Sequence, residues 1–488
     1  AKITLRSIAN RANMEISSSM PNFLFYFLIL CCGTGFLVHK NWTAKESSGS
    51  RPVDFKKFQK NYLFVYFCVM AGDWLQGPYV YALYSSYGFD QHDIAVLFVA
   101  GFGSSMIFGT FIGSLADRFG RKKFCLLYIV TYIASCLTKH VNSYSVLMLG
   151  RLLGGVATSL LFSVFDAWMI NEHNARSFEG AWIGETFATA IFGNSCVAIA
   201  AGLVANFASE IAPLKNLRGE DFATSNDGGV FKGGFCAPFD VAILVLTLGG
   251  AYIQNNWGEN FGHSSGGSVG ADDTIKVLKK GFDSIVYNPS ILLCGMISSL
   301  FEGSMFTFVF MWTPALQPSA GEDETLPFGL IFAAFMVACM AGSSLFTVLS
   351  KSLPIEEISK YTFVVAALSL FVPVITTSYN LIFVGFLVFE GCVGMYFPAM
   401  GTLKSKIVPE SQRSTIYNIF RVPLNVIVLG VLLTKMEMST AFFCCSAMLA
   451  TAAACQFKLV AVLKEKDDSK GGEGGAVDEG GDEESLLH

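Results

Sequence analysis

Residues 113–124 read Gly-Ser-Leu-Ala-Asp-Arg-Phe-Gly-Arg-Lys-Lys-Phe. One apolar stretch, His92 to Leu115, leads into this segment, and a second, Phe124 to Leu137, leads out of it. Between them Asp117, Arg118, Arg121, Lys122 and Lys123 form a charged knot, too short for a domain and too polar for hydrocarbon. Gly113 permits close approach of helices, and Gly120 supplies the backbone freedom that a two-helix hairpin turn needs. The pattern predicts two membrane-spanning helices joined by a tight cationic loop.

The same hydropathy extends both ways. Of 488 residues, 52% are hydrophobic, and the mean hydropathy of +0.51 excludes an ordinary soluble composition. There are 45 Phe against 16 Tyr and 6 Trp, so most aromatic mass suits lipid rather than an aqueous site. Twelve stretches of spanning length lie near 61–84, 92–115, 122–138, 144–170, 181–206, 239–255, 289–315, 327–350, 360–376, 380–403, 414–434 and 440–462. A further apolar run at 21–38, within an N-terminal segment 1–60, predicts an extra helix.

Residues 256–288, polar and carrying Lys276, Lys279 and Lys280, read as a cytoplasmic linker between six-helix halves at 61–255 and 289–462. With the 113–124 loop inside, cytosolic segments hold 23 Lys and Arg against 5 outside, which fixes the orientation. Gly103-Ser-Ser-Met and Gly342-Ser-Ser-Leu, in the second and eighth spans, are a faint trace of a repeat. The Gly-rich acidic tail, 463–488, is expected to be disordered in the cytosol. Its Asp482-Glu-Glu-Ser-Leu-Leu resembles an acidic dileucine signal, which makes a sorting adaptor a candidate partner at Leu486 and Leu487.

Several classes are excluded. The 13 Cys include no CxxC pair, and the six His fall in loops, helix ends or the tail, so no metal site is expected. The sequence has no nucleophile–base constellation, phosphate loop or ATP-binding motif, which argues against an enzyme, a primary pump, a cofactor or a nucleic-acid partner.

Ionisable residues inside a bilayer are costly and therefore informative. They are Asp73, Arg151, Asp166, Glu185, Glu302, Glu390 and Arg421. At 1.5 Å per residue, Asp73 lies ~18 Å into its span, Glu302 ~20 Å and Glu390 ~15 Å. Arg151 sits in the outer third of the fourth span and Arg421 in the inner third of the eleventh. Gly77-Pro78 predicts a helix break just past Asp73, with Trp74 and Gln76 supplying an aromatic wall and a neutral donor. Pro314, Pro398 and Pro423 predict similar breaks, with simple kinks as the equal alternative. A purely structural role, such as an Arg151–Glu390 pair, remains open for these charges.

The 113–124 stretch resembles the Gly-x-x-x-Asp-Arg-x-Gly-Arg-Lys loop of the major facilitator superfamily, matched by Gly113, Asp117, Arg118, Gly120, Arg121 and Lys122. The resemblance implies an all-α membrane protein with two six-helix halves whose first, fourth, seventh and tenth helices line a central cavity. It places Asp73, Arg151, Glu302 and Glu390 around that cavity. It also implies a gate made of Gly113, Asp117, Arg118, Gly120, Arg121 and Asp166, with Asp166 and Glu172 as the acidic partners of Arg121.

Asp73-Trp-Leu-Gln-Gly-Pro-Tyr, Gly150-Arg-Leu-Leu-Gly-Gly, Asn256-Trp-Gly-Glu-Asn-Phe, Phe310-Met-Trp-Thr-Pro, Tyr396-Phe-Pro-Ala-Met and Phe420-Arg-Val-Pro-Leu are similar to stretches of the molybdate-anion transporter family. That resemblance implies uptake of a tetrahedral oxyanion by alternating access; the plasma membrane is the expected location, with an endomembrane as the alternative. Arg151 and Arg421 would bind the dianion, aided by Gln76, Trp74 and Glu390, because the guanidinium fork supplies both charge and directed donors. Asp73 and Glu302 are the candidates for proton coupling. The acid-rich interior equally suits an organic cation, and a nutrient sensor without flux is the alternative from another class.

Overall fold

A computed structural model describes residues 51–217, 229–262, 271–317, 326–409, 413–434 and 436–473, with scattered residues between 26 and 38. The chain begins with α1 (Val53–Trp74), a 3-10 turn (Gly77–Tyr79), α2 (Val80–Ser86), α3 (Gln91–Phe119), α4 (Arg121–Thr138), α5 (Tyr144–Leu161) and α6 (Val164–Ala175). It continues with α7 (Ala181–Ile211), α8 (Ala237–Asn256), α9 (Ala271–Tyr287), α10 (Pro289–Leu316) and α11 (Phe328–Leu349). The last elements are α12 (Ile355–Ile375), α13 (Tyr379–Ile407), α14 (Arg413–Leu433) and α15 (Met438–Glu473).

Among the described residues, nine helical stretches are long and apolar enough to cross a membrane. The other three predicted spans have local reasons for falling short. Charges crowd the start of α1, α4 opens on Arg121-Lys122-Lys123, and α14 is apolar only over Ile419–Val431. The described residues of 26–38 are helical, and they lie on α11 and α13 through Thr34, whose hydroxyl donates to the Val337 carbonyl at 3.4 Å, and Tyr26, 6.0 Å from the Phe383 ring. α15 runs on to Glu473, beyond the predicted end of the last span at 462. Leu486 and Leu487 lie outside the described residues.

Local chemistry sets several helix ends. The Asp90 carboxylate accepts from the Asp93 N–H at 2.8 Å to start α3, and Asn288 followed by Pro289 starts α10. Gly77-Pro78 does break its helix, as a 3-10 turn. Pro314, Pro398 and Pro423, where the sequence predicts a break or a simple kink, lie inside continuous helices, so the break does not occur at these three. Each ring removes one backbone hydrogen bond, a loss that packed neighbouring helices absorb without ending the helical path.

Glycine contacts hold equivalent helix pairs together in the two sets of helices. Gly155 of α5 sits against Ser104 and the Gly101 carbonyl of α3, while Gly342 of α11 sits against the Gly391 carbonyl of α13. Between the sets, ring contacts join Tyr81 and Phe98 to Phe310 at 5.5 and 5.4 Å, Phe102 to Phe306 at 5.3 Å, and Tyr79 to Phe328 at 6.0 Å. These contacts gather at the outer ends and the middle, so the described helices are closed outside and parted toward the cytosol. Outside, the strands Val141–Asn142, Lys215–Asn216 and Gly229–Lys232 form a small antiparallel sheet with Gly229–Lys232 in the centre.

Candidate functional site

The charged knot folds as a clasp. Gly120 takes φ of 113°, a value costly for other residues, and lets Arg121 turn back so that its guanidinium meets the Asp117 carboxylate at 2.7 Å. Arg121 also donates to the Ala167 carbonyl of α6 at 3.0 Å. The expected acidic partners are engaged elsewhere. Asp166 accepts from the Tyr62 hydroxyl at 2.8 Å, and Glu172 pairs with Arg176 one turn along at 2.7 Å. Asp117, four residues before Arg121, is simply nearer than either. Arg118 is exposed, over the Phe119 ring, and nothing lies within 4 Å of where a Gly113 side chain would start.

One part of the clasp escaped the sequence reading. α4 has no cap of its own, and Glu259, beyond α8, supplies one by accepting from the backbone N–H groups of Lys122 at 2.8 Å and Lys123 at 3.3 Å. Trp257 stacks on Trp168 at 3.6 Å, the Trp168 indole donates to the Gly258 carbonyl, and the Gly262 N–H donates to the Asp117 carbonyl. The signal was present in Trp257-Gly-Glu-Asn-Phe, a polar string too specific for a mere linker. Glu259→Ala should cost about 1 kcal/mol of stability, the usual scale for a lost cap. Thermal unfolding of the purified chain checks this; an unchanged midpoint would show the cap to be idle.

Deeper in the membrane the charges separate into distinct settings. Asp73 accepts from the Tyr132 hydroxyl and has no cation partner among the described residues. Glu302, at a matching depth, accepts from the Tyr396 hydroxyl at 2.7 Å and pairs with Lys404 at 3.2 Å. Lys404 reaches back from the inner end of α13, with Nζ 5.7 Å from the Tyr417 ring centre. Arg421, one turn beyond Tyr417, is exposed and unpaired among the described residues. It shares a helix face with Asn425, whose amide reaches Met106 of α3 across the sets at 3.0 Å.

The other predicted ligands are partly committed. The Trp74 indole donates to the Asn194 side chain at 2.8 Å, and the buried Gln76 amide donates to the Gly72 carbonyl of its own helix at 2.8 Å. Glu390 is 6% exposed, near Cys339 beside the Gly342–Gly391 contact. It has no hydrogen bond or ion pair among the described residues, so the considered Arg151–Glu390 pair does not form. Arg151 instead donates Nε to the Leu97 carbonyl at 3.2 Å and lies 4.0 Å over the Phe98 ring. Glu185 pairs with Arg51 at 2.9 Å. A cavity of about 570 Å³ beside Arg121, lined also by Asn171 and Asn174, offers a single cation already held by Asp117, which makes it a poor anion site.

The sequence profile of a family described as sugar transporters with 12 membrane spans matches residues 22–395. A Xenopus tropicalis protein named molybdate-anion transporter is 35% identical over 396 residues, covering 79% of this chain and 81% of its own. A Takifugu rubripes protein of the same name is 31% identical over 440 residues, covering 84% and 86%. Among solved structures, the inward open conformation of the xylose transporter XylE from E. coli aligns with TM-score 0.60 at 13% identity, covering 83% of this chain and 96% of that one. A nucleoside transporter, NupG, aligns with TM-score 0.58 at 12% identity, covering 84% and 99%.

Proposed function

Since this chain belongs to the molybdate-anion transporter family and has the major facilitator fold, we propose that it carries molybdate, a tetrahedral oxyanion, across a membrane by alternating access. It is a multi-pass integral membrane transporter and not an enzyme. The observation that carries the substrate assignment is the cationic pair flanking Tyr417. Lys404 lies on one side of that ring and the exposed Arg421 one turn beyond it, on the side where the helices part. A dianion arriving there meets a directed fork and an ammonium, with Glu302 balancing Lys404 when the site is empty. Arg151 serves the oxyanion from the other set, nearer the outside. An organic cation would find its path to Glu302 already occupied by Lys404.

Counterflow of labelled molybdate in liposomes, challenged with tungstate, sulfate, organic cations and sugars, tests the assignment. Competition by oxyanions alone is expected; competition by cations or sugars alone would reassign the substrate. We place the protein in the plasma membrane, a location that surface labelling of the full chain checks.

Gating follows from what the clasp leaves unused. Gly113, Asp117, Arg118, Gly120, Arg121 and Asp166 belong to the cytosolic ends that must close when the outside opens. With an open Gly113 face and an Arg118 unpaired among the described residues on the parted side, we assign these two to the closed cytosolic gate of the outward-facing state, where the second set would close against them. Gly113→Leu should therefore slow turnover while leaving oxyanion affinity within about twofold. Unaltered turnover would remove Gly113 from the gate.

A further inference from the structure

Three groups converge in the outer third of the first set without a counter-charge. Lys139, just past the end of α4, is 2% exposed, and its ammonium has no hydrogen-bond partner among the described residues. It lies 5.8 Å from the Tyr84 ring centre. Tyr84 is 0% exposed, and its hydroxyl likewise has no partner. Arg151 is half-buried and spends only Nε on a protein acceptor, while its charge acts on both Lys139 and Tyr84. Gly150 makes the approach possible, because a side chain there would begin 3.0 Å from Lys139 Nζ.

No carboxylate pairs with Lys139 or Arg151 among the described residues. Asp240, at the start of α8, is held by His140 at 2.9 Å. Two neighbouring cations with no anion are an expensive arrangement in a low dielectric, costing several kcal/mol when both stay charged. Burial first, and the Arg151 charge second, push the Lys139 ammonium down to about 7, with Cys136 opposing. Structural lysines are seldom left like this.

We propose that Lys139, Tyr84 and Arg151 form an outer docking site for a small tetrahedral oxyanion, loaded when the outside opens. The ammonium and guanidinium would each donate charge-assisted hydrogen bonds and the phenol a third, satisfying the two groups left without partners and the unused donors of Arg151. The small outer sheet is fixed to this site: the Tyr87 hydroxyl donates to the Lys139 carbonyl at 2.7 Å, and the Phe231 N–H of the central strand donates to the His140 carbonyl at 2.7 Å. Movement of that sheet would therefore expose the site. The identity of the physiological anion rests on the transport reading above; the existence of the site does not.

The test uses the full chain in nanodiscs carrying Arg421→Leu, which leaves the outer site as the remaining cationic pair. Molybdate and sulfate are titrated against its thermal unfolding midpoint. At least one is expected to raise it, and adding Lys139→Met or Tyr84→Phe is expected to weaken that binding at least about tenfold, the scale of one lost charge-assisted hydrogen bond. Without anion, Lys139→Met should unfold at a higher temperature in mildly acidic buffer, because an uncompensated charge is gone. In liposomes, with Arg421 intact, Lys139→Met should raise half-saturation from the outside similarly while that from the cytosolic side stays within about twofold. Neither oxyanion stabilising the Arg421→Leu chain, or both binding the added variants unchanged, overturns the site. Binding through Lys139 in a chain that moves no oxyanion would sink the transport reading and leave the site standing.

Discussion

Arg421→Leu should abolish molybdate uptake, and Arg421→Lys should weaken molybdate binding by about 1.5–3 kcal/mol, one charge-assisted hydrogen bond. Lysine keeps the charge but not the planar fork that holds two oxygens at once. The chain tolerates the change, because Arg421 is exposed and holds nothing else in place among the described residues. Loss of uptake should therefore come without loss of folding, and a thermal melt beside the uptake assay separates the two. If Arg421→Lys binds as the wild type does, the guanidinium is not a ligand. Lys404→Met differs in kind: it also strands Glu302, so both affinity and stability should fall.

Asp73→Asn should abolish accumulation of anion driven by a pH gradient and spare exchange of anion for anion. Asp73 and Glu302 look alike in the sequence, at equal depth in related helices. Their surroundings separate them: Glu302 is balanced by Lys404, whereas Asp73 has only the Tyr132 hydroxyl. Of these two, Asp73, without a fixed counter-charge among the described residues, is the one we assign to proton carriage. The assay loads liposomes with and without a gradient and compares net uptake with exchange. Accumulation that still follows the gradient in Asp73→Asn would make this carboxylate structural.

What was legible in the sequence followed from hydropathy and charge. Spanning length, the Lys and Arg bias and the 113–124 knot depend on local composition, which the bilayer reads residue by residue. The broken helix at Gly77-Pro78 was legible because an exposed glycine precedes the proline, so nothing restores the helical path. Pro314, Pro398 and Pro423 left break and kink both open, because the neighbours that keep those helices continuous are distant in sequence. Partner choice was the hardest to foresee. Arg121 turning back to Asp117, Lys404 reaching Glu302 and Glu259 capping α4 all depend on tertiary placement, and composition is silent about that. Lys139 looked like an ordinary loop charge until the structure buried it.

The most direct test is uptake of molybdate by the purified chain in liposomes, with wild type and Arg421→Leu measured side by side under the same pH gradient. The account predicts saturable accumulation by the wild type, suppressed by tungstate, and none by Arg421→Leu. No accumulation by a folded wild-type chain that still binds molybdate would mark a sensor rather than a carrier. Equal accumulation by Arg421→Leu would contradict the oxyanion site itself.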